Sequence, residues 1–442
     1  MKSYTAFKVS GIDWIDVIPA HWKVRRLKDI GKICLGKMLK DKPDNGYYRK
    51  PYLKSKNIGW LNLNLSNVEE MYFNEQEMAT LRLKKGDLIL SEGGEVGKTS
   101  IWNDELEECY IQNSAHKISF NNCCDSRFYL YLSYYLGHIG YYKSIVNLVS
   151  IMHLTYEKLR RVMVPVPPLD EQERLAAYLD KKCGEIDGQV ELLEKKRKAY
   201  ERLKTSVINN AVTRGLNPDV PMRDSGIDWI GEIPAHWNRL RLKDVSFMYS
   251  GLTGKSGDDF RCDDDSKTKP FVPFTNVLNN TRIDFSQFNR VVMNENESQN
   301  RVGENDLIFL MSSEDYESIA KSAVVIGDPG EVYLNSFCRG LRFTSDNVFA
   351  PFVNYQLNAS KYRDSLRFEA RGFTRINIKI DRIASQFITI PPIDEQRAIA
   401  TYLDEKCGEI DAAIENIGKQ IDAYKRLKRS LINEVVTGKR AV

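Results

Sequence analysis

Histidine stands at position 21 and again at 236, each time inside the phrase Pro-Ala-His-Trp. An imidazole titrates near neutral pH, so these two positions are the first candidates for acid–base chemistry. Catalysis there would need a nucleophile or an acid partner duplicated with each histidine, and no Ser, Cys or Asp constellation recurs beside them. Trp14, Trp22 and the adjoining prolines point instead to a packed anchor where the chain enters a folded body. A second candidate is GGEVGKTS at Gly93 to Ser100. A phosphate-cradling loop requires glycine five residues before its Gly-Lys, and that place holds Glu92, whose carboxylate would repel phosphate. A glycine-rich turn between two strands is the expectation. Cys123 and Cys124 lack the second pair and the histidines that zinc spacing demands, while Cys183 and Cys407 fall on apolar helical positions and read as buried structural thiols.

The loops of the globules carry residue types that recognition chemistry uses, as surface loops of any protein do. LKSKNIGW at Leu53 to Trp60, PFTNVLNN at Pro273 to Asn280 and EARGFTRIN at Glu369 to Asn377 mix amide, basic and aromatic side chains. Arginine, lysine, asparagine and glutamine are the types that hydrogen-bond base edges, arginine taking guanine bidentately and asparagine adenine. The basic runs KKRKAYERLK at Lys195 to Lys204 and KRLKRS at Lys425 to Ser430 read as solvated helix faces.

These loops sit in a frame that is written twice. GIDWIDVIPAHW at Gly11 to Trp22 returns as GIDWIGEIPAHW at Gly226 to Trp237, a shift of 215 residues. PPLDEQ at Pro167 to Gln172 returns as PPIDEQ at Pro391 to Gln396, and YLDKKCGEID at Tyr178 to Asp187 as YLDEKCGEID at Tyr402 to Asp411, both shifted by 224. The ends of each copy are constrained and the middle is free. The repeated Asp-Glu-Gln is read as helix-start chemistry, with acid in the first turn. From Asp170 the residues Leu175, Leu179, Cys183, Ile186, Val190, Leu193, Tyr200, Leu203 and Val207 step by threes and fours, as do Ile399, Leu403, Cys407, Ile410, Ile414, Ile417, Ile421, Tyr424, Leu427, Leu431 and Val435. Each helix would be on the order of 65 Å long, too long to hide its stripe in its own globule. The two are expected to bury their seams against each other, antiparallel, about an approximate two-fold axis. The segments between, with short apolar runs broken by Gly, Asn and Pro, read as mixed α and β.

The predicted organisation is therefore α+β: a first globule over residues 1–166, a long helix over 167–215, a second globule over 216–390 and a second long helix over 391–442. An apolar share of 42% suffices for packed cores, and a net charge of +4 with an isoelectric point near 8.4 allows nucleic acid through local patches without demanding it. No signal-peptide order or bilayer-length apolar run is seen, so a cytoplasmic protein without membrane contact is expected.

With the DWI..IPAHW phrase, the PP(L/I)DEQ junction and the YLD.KCGEID helix in this order twice, the whole chain resembles the specificity subunit of a Type I restriction-modification enzyme. The resemblance implies that the globules are target recognition domains, each reading half of a split double-stranded DNA target, with the helices setting the gap. It implies a chain without catalytic residues or cofactor of its own, docking two modification subunits that methylate adenine with S-adenosylmethionine. Restriction subunits can join to give an ATP- and Mg2+-dependent nuclease. DNA contacts are expected near residues 54–57, 93–98, 150–155, 275–276, 312–321 and 371–375. The residues singled out there are Lys54, Lys56, Asn57, Lys98, His153, Asn276, Lys321, Arg371, Thr374 and Arg375. Two other readings stand beside this one: an adaptor that holds protein partners through its coiled coil, and a stand-alone nuclease, which would need a repeated carboxylate and lysine cluster.

Overall fold

Apolar runs flanked by turn residues form the strands of both globules, as the run Leu88–Ser91, buried at all four positions, illustrates. The computed structural model describes residues 4–146, 153–261, 267–294 and 297–442. The chain divides into two units, residues 1–194 with 419–442 and residues 195–418, so each unit contains one globule and a stretch of both long helices.

In the first unit a hairpin, Phe7–Ile12 against Ile15–Pro19, leads into Lys23–Arg26, which pairs antiparallel with Met163–Val166 and closes the neck of the globule. Beyond the neck lies a four-stranded antiparallel sheet in the order Gly31–Leu35, Ala115–Phe120, Leu88–Ser91, Thr99–Ile101. A three-stranded sheet places Tyr47–Leu53 between antiparallel Glu69–Asn74 and parallel Tyr110–Ile111. The helix Ser126–His138 starts where the Asp125 carboxylate accepts from the Arg127 amide, and it buries Phe128, Leu132 and Leu136.

The second unit repeats this plan. Met222–Asp224 pairs with Glu232–Pro234, and Asn238–Arg241 pairs with Phe387–Ile390. A four-stranded sheet runs Ser246–Ser250, Cys338–Phe343, Leu307–Leu310, Ser322–Val324, and Thr268–Val272 sits between Asn289–Val292 and Tyr333–Leu334. The helices Ala350–Asn358 and Ser360–Glu369 cover it. A short pair, Ser312–Ser313 with Ile376–Asn377, is added.

Both long helices form, as Leu169–Arg214 and Ile393–Val436, and Gly215 ends the first with φ +73°, a left-handed conformation that glycine adopts without strain. Within the first unit Leu175, Leu179, Cys183 and Ile186 join Leu431, Ile432, Val435 and Val436 in one core with Trp22. Lys428 Nζ meets Asp187 at 2.6 Å and Arg440 reaches the Tyr178 hydroxyl at 3.1 Å, so the two helical stretches run antiparallel. In the second unit Lys204 meets Asp411 at 2.7 Å, the repeat-equivalent pair. Two seam positions depart from expectation. Leu203 and Leu427 are exposed, because the helix turn presents Lys204 and Lys428 inward instead; their aliphatic stems cover the seam while the ammonium groups reach across to an aspartate. Burial pushes the Cys183 thiol up to about 11 and also raises that of Cys407, which keeps both protonated, as structural thiols are. Among the described residues no helix is long and apolar enough to cross a membrane.

The repeated motifs meet at a joint. His21 Nε2 and the indole of fully buried Trp22 contact the Glu171 carboxylate at 2.7 and 3.1 Å, and the Tyr4 hydroxyl donates to it as well. His236 and Trp237 contact Glu395 at the same two distances. Gln172 accepts from the Asp125 amide and donates to the carbonyls of Pro167 and Cys123, and Gln396 does the same with Phe349, Pro391 and Asn347. The Glu and Gln of Asp-Glu-Gln therefore bind the globule to the helix, a tertiary role beyond the helix-start chemistry expected of them. Glu171→Ala is expected to cost about 1–3 kcal/mol, since it strands a buried indole N–H, and Glu395→Ala less because that carboxylate is more exposed. Urea unfolding of the full chain checks both, and an unchanged midpoint for Glu171→Ala would refute the joint.

Candidate nucleic-acid interface

Three separate loops of the first unit are tied into one surface by hydrogen bonds that backbone amides donate. The Leu61 amide donates to the Thr99 carbonyl at 2.9 Å, and the Ser55 amide donates to the Ser114 hydroxyl at 3.0 Å. The Glu92 amide donates to the Ser114 carbonyl, and the Leu154 amide donates to the Glu92 carbonyl, each at 2.9 Å. The stretches near 54–57, 93–98 and 153–155 are thus brought together, while residues 150–152 of the expected window lie outside the described residues.

Side chains at this surface differ in what they can offer. Lys56 is exposed in the short turn Ser55–Asn57, and His153 is exposed beside the Glu92 loop. Burial raises the Glu92 carboxyl, and the charge of His153 opposes the rise. Lys98 is held by Glu95 at 2.6 Å, the same carboxylate that accepts from the Trp60 indole at 3.0 Å. Lys54 is paired with Glu69. Asn57 is buried: its Oδ1 accepts from the Lys54 amide at 3.0 Å and its Nδ2 donates to the carbonyls of Asn64 and Asn67 at 2.9 and 3.1 Å. It shapes the loop and has no edge to present to a base. The GGEVGKTS segment is the connection between the antiparallel strands Leu88–Ser91 and Thr99–Ile101, and a Cβ at Gly97 would lie 2.3 Å from the Tyr142 ring.

The second unit has a corresponding cluster with a different surface. Asn276 is fully buried, donating to the Asp284 carbonyl at 2.8 Å and accepting from the Asp284 amide at 3.1 Å, so it too is a loop brace, contrary to its expected place among the contacts. Lys321 is half-buried and donates to the Leu278 carbonyl at 3.3 Å. Arg371 and Asn377 exchange backbone hydrogen bonds at 3.0 and 2.9 Å, making a hairpin whose tip carries exposed Phe373 and Thr374. The Arg371 guanidinium lies over Phe368 and donates to the Ala370 carbonyl at 2.8 Å. Arg375 donates to the Ser312 hydroxyl at 2.9 Å and lies 4.4 Å over the Phe337 ring, on the wall of a cleft of about 420 Å³ that Ser313, Glu314 and Asn335 also line. Donors on Arg375 and acceptors on Glu314 and Asn335 within one cleft make a polar edge suited to hydrogen-bonding bases. Phe337 and Asn335 lie outside the windows expected from sequence, because only the fold carries them to the Arg375 hairpin, whereas Glu314 falls inside the window 312–321.

Residues 19–199 and 234–422 each match the family described as "Type I restriction modification DNA specificity domain". The chain belongs to that family. Each matched span begins at a lead-in phrase and runs into a long helix, so the specificity domain is the repeat itself. The chain is 24% identical, over 96% of its length and 95% of the relative's, to the putative type I restriction enzyme MjaX specificity subunit of Methanocaldococcus jannaschii. It is 25% identical to the EcoKI specificity subunit of Escherichia coli strain K12 over 47% of this chain and 44% of that one. In fold it resembles a chain from a structure of a type I R-M system, with TM-score 0.70, 16% identity and coverage of 96% of this chain and 99% of that one. It also resembles the HsdS subunit of Thermoanaerobacter tengcongensis, with TM-score 0.53, 16% identity and coverage of 96% and 98%.

Within this specificity-domain fold the two buried asparagines give a direct test of brace against reader. Asn57→Ala and Asn276→Ala are each expected to lower stability by about 1–3 kcal/mol, the cost of leaving buried backbone groups unpaired. Thermal unfolding of the two variants measures it, and wild-type stability in both would show that neither amide braces its loop.

Proposed function

We propose that this chain is the DNA sequence-specificity subunit of a type I restriction-modification complex. In this reading it binds a split double-stranded target, one half-site per globule, and partner subunits carry out adenine methylation and restriction at the site it selects. The observation that carries the reading is the contrast inside the repeat. The joint at Glu171 and Glu395 is kept residue for residue, whereas the loop surfaces differ: the first globule presents exposed Lys56 and His153, and the second a hairpin with exposed Arg371, Phe373, Thr374 and Arg375. A frame kept constant around two unlike polar surfaces is what a two-headed reader requires.

The partners follow from the same reading: two modification subunits that use S-adenosylmethionine, and restriction subunits that use ATP and Mg2+, with this chain supplying no cofactor site. The paired helices act as the ruler between half-sites, because two heads reading grooves of B-DNA, which repeat about every 34 Å, need a stiff spacer.

Selection of bound duplexes from a library of split sites by the reconstituted complex tests the proposal, and no bipartite preference would overturn it. Arg375→Ala is expected to weaken binding by about 1–3 kcal/mol and to relax preference in one half-site, whereas Lys56→Ala should affect the other half-site alone. If either change alters both halves, the heads are not independent readers. Deleting one heptad from each long helix is expected to change the preferred spacer; the same spacer with full binding would refute the ruler.

A further inference from the structure

Strand register allows the two globules to be compared position by position. Gly31–Leu35 pairs with Ala115–Phe120 so that Lys32 faces Ser119 and Cys34 faces Lys117. Ser246–Ser250 pairs with Cys338–Phe343 so that Phe247 faces Arg342 and Tyr249 faces Gly340. Both sheets place one buried aspartate at the start of the neighbouring strand, Asp87 in the first and Asp306 in the second.

The two aspartates are satisfied in different ways. Asp306 accepts from the Tyr249 hydroxyl at 2.6 Å and from Arg342 at 2.7 and 2.8 Å. Tyr249 lies flat on Gly340, whose absent Cβ would sit 1.9 Å from the ring. That ring and the guanidinium fill the space in front of the aspartate. In the first globule Asp87 accepts from the Ser119 hydroxyl at 2.6 Å and from the Lys84 amide at 2.9 Å, and the Lys117 ammonium stands 3.9 Å away. Lys117 is buried and donates to the carbonyls of Thr80 and Arg82, both at 2.8 Å. With Cys34 where the second globule has tyrosine, the space stays open as a cleft of about 360 Å³.

Lys32, Lys84, Lys85 and Lys117 line this cleft, against Asp87 as its one carboxylate. The corresponding wall of the second globule has Phe247, Gly303 and Glu304, and no open cleft of this charge is possible there. Lys117 is spent on backbone carbonyls, and burial lowers its ammonium from the ordinary lysine value while Asp87 opposes the shift; the exposed ammonium groups of Lys32, Lys84 and Lys85 are the donors available to a ligand. Three strongly hydrated, flexible ammonium groups around one cleft suit a phosphate, which they can meet as point charges.

We propose that the cleft formed by Lys32, Lys84, Lys85 and Lys117 in the first globule is a phosphate-binding site that the second globule has closed. The phosphate is either one of a DNA backbone or that of a free anion such as inorganic phosphate. The site does not depend on the split-target reading, and its test is separate from half-site preference.

The double variant Lys84→Gln/Lys85→Gln, and Lys32→Gln alone, remove exposed charges and leave the buried Lys117–Asp87 arrangement intact. In the full chain, inorganic phosphate at matched ionic strength should raise the melting temperature over chloride for wild type and not for the double variant if the source is a free anion. If the source is DNA, the slope of log K against log salt for a random duplex should fall by about 1–2 in the double variant, equally for every sequence tried. Either result supports the site and names its source. Wild-type behaviour of the double variant and of Lys32→Gln in both measurements would overturn it, even where half-site preference is intact.

Discussion

One carboxylate per globule holds the molecule's plan together. Glu171 and Glu395 each stand in the first turn of a long helix, where the helix dipole favours negative charge, and each accepts from a histidine and a buried indole of the lead-in phrase. A buried carboxylate without such donors would be costly, so the helix start and the lead-in must be in place together. The adjacent glutamines extend the same logic, since each satisfies a backbone amide of the globule and two carbonyls at the neck. Farther along each helix Asp180 accepts from Tyr131 at 2.9 Å and Asp404 from Tyr355 at 2.7 Å. The phrases that looked like possible catalytic motifs are thus the parts of a joint.

That joint explains which features were legible in the sequence. Residues that must satisfy one another cannot drift singly, so Pro-Ala-His-Trp, Asp-Glu-Gln and Tyr-Leu-Asp appear twice in the same words and reveal the repeat. The helices were legible because their seams recur by threes and fours. The exchange of leucine for lysine at 203–204 and 427–428 was not, because periodicity counts apolar residues and cannot see a lysine stem doing apolar work. Strand positions such as Leu88–Ser91 and Leu307–Leu310 could be read from short apolar runs, but their sheet order could not, since pairing across the globule joins residues far apart in the chain.

The candidate surface was legible by region more than by residue. Asn57 and Asn276 belong to the type that reads adenine, and both turn out to spend their amides on neighbouring backbone groups. Composition cannot separate these uses, because an asparagine offers the same donors and acceptor to a loop as to a base. Arginine is more easily placed: its five donors and long stem leave some of the group outward even after one is engaged, as at Arg375 with Ser312.

Divergence of the middle segments has a physical route visible in the buried aspartates. Asp87 and Asp306 keep one position in the sheet while their partners change from serine and lysine to tyrosine and arginine. A buried charge must be compensated, but the cation can come from different positions of the one neighbouring strand, Lys117 or Arg342, and the hydroxyl from that strand or the next, Ser119 or Tyr249, so several side-chain sets satisfy one backbone register. Each set leaves a different surface: an open basic cleft in one globule and a filled one in the other. Backbone hydrogen bonding preserves the fold while the side chains that compensate one another are exchanged in groups, and a repeated domain can change what it presents without changing how it is built.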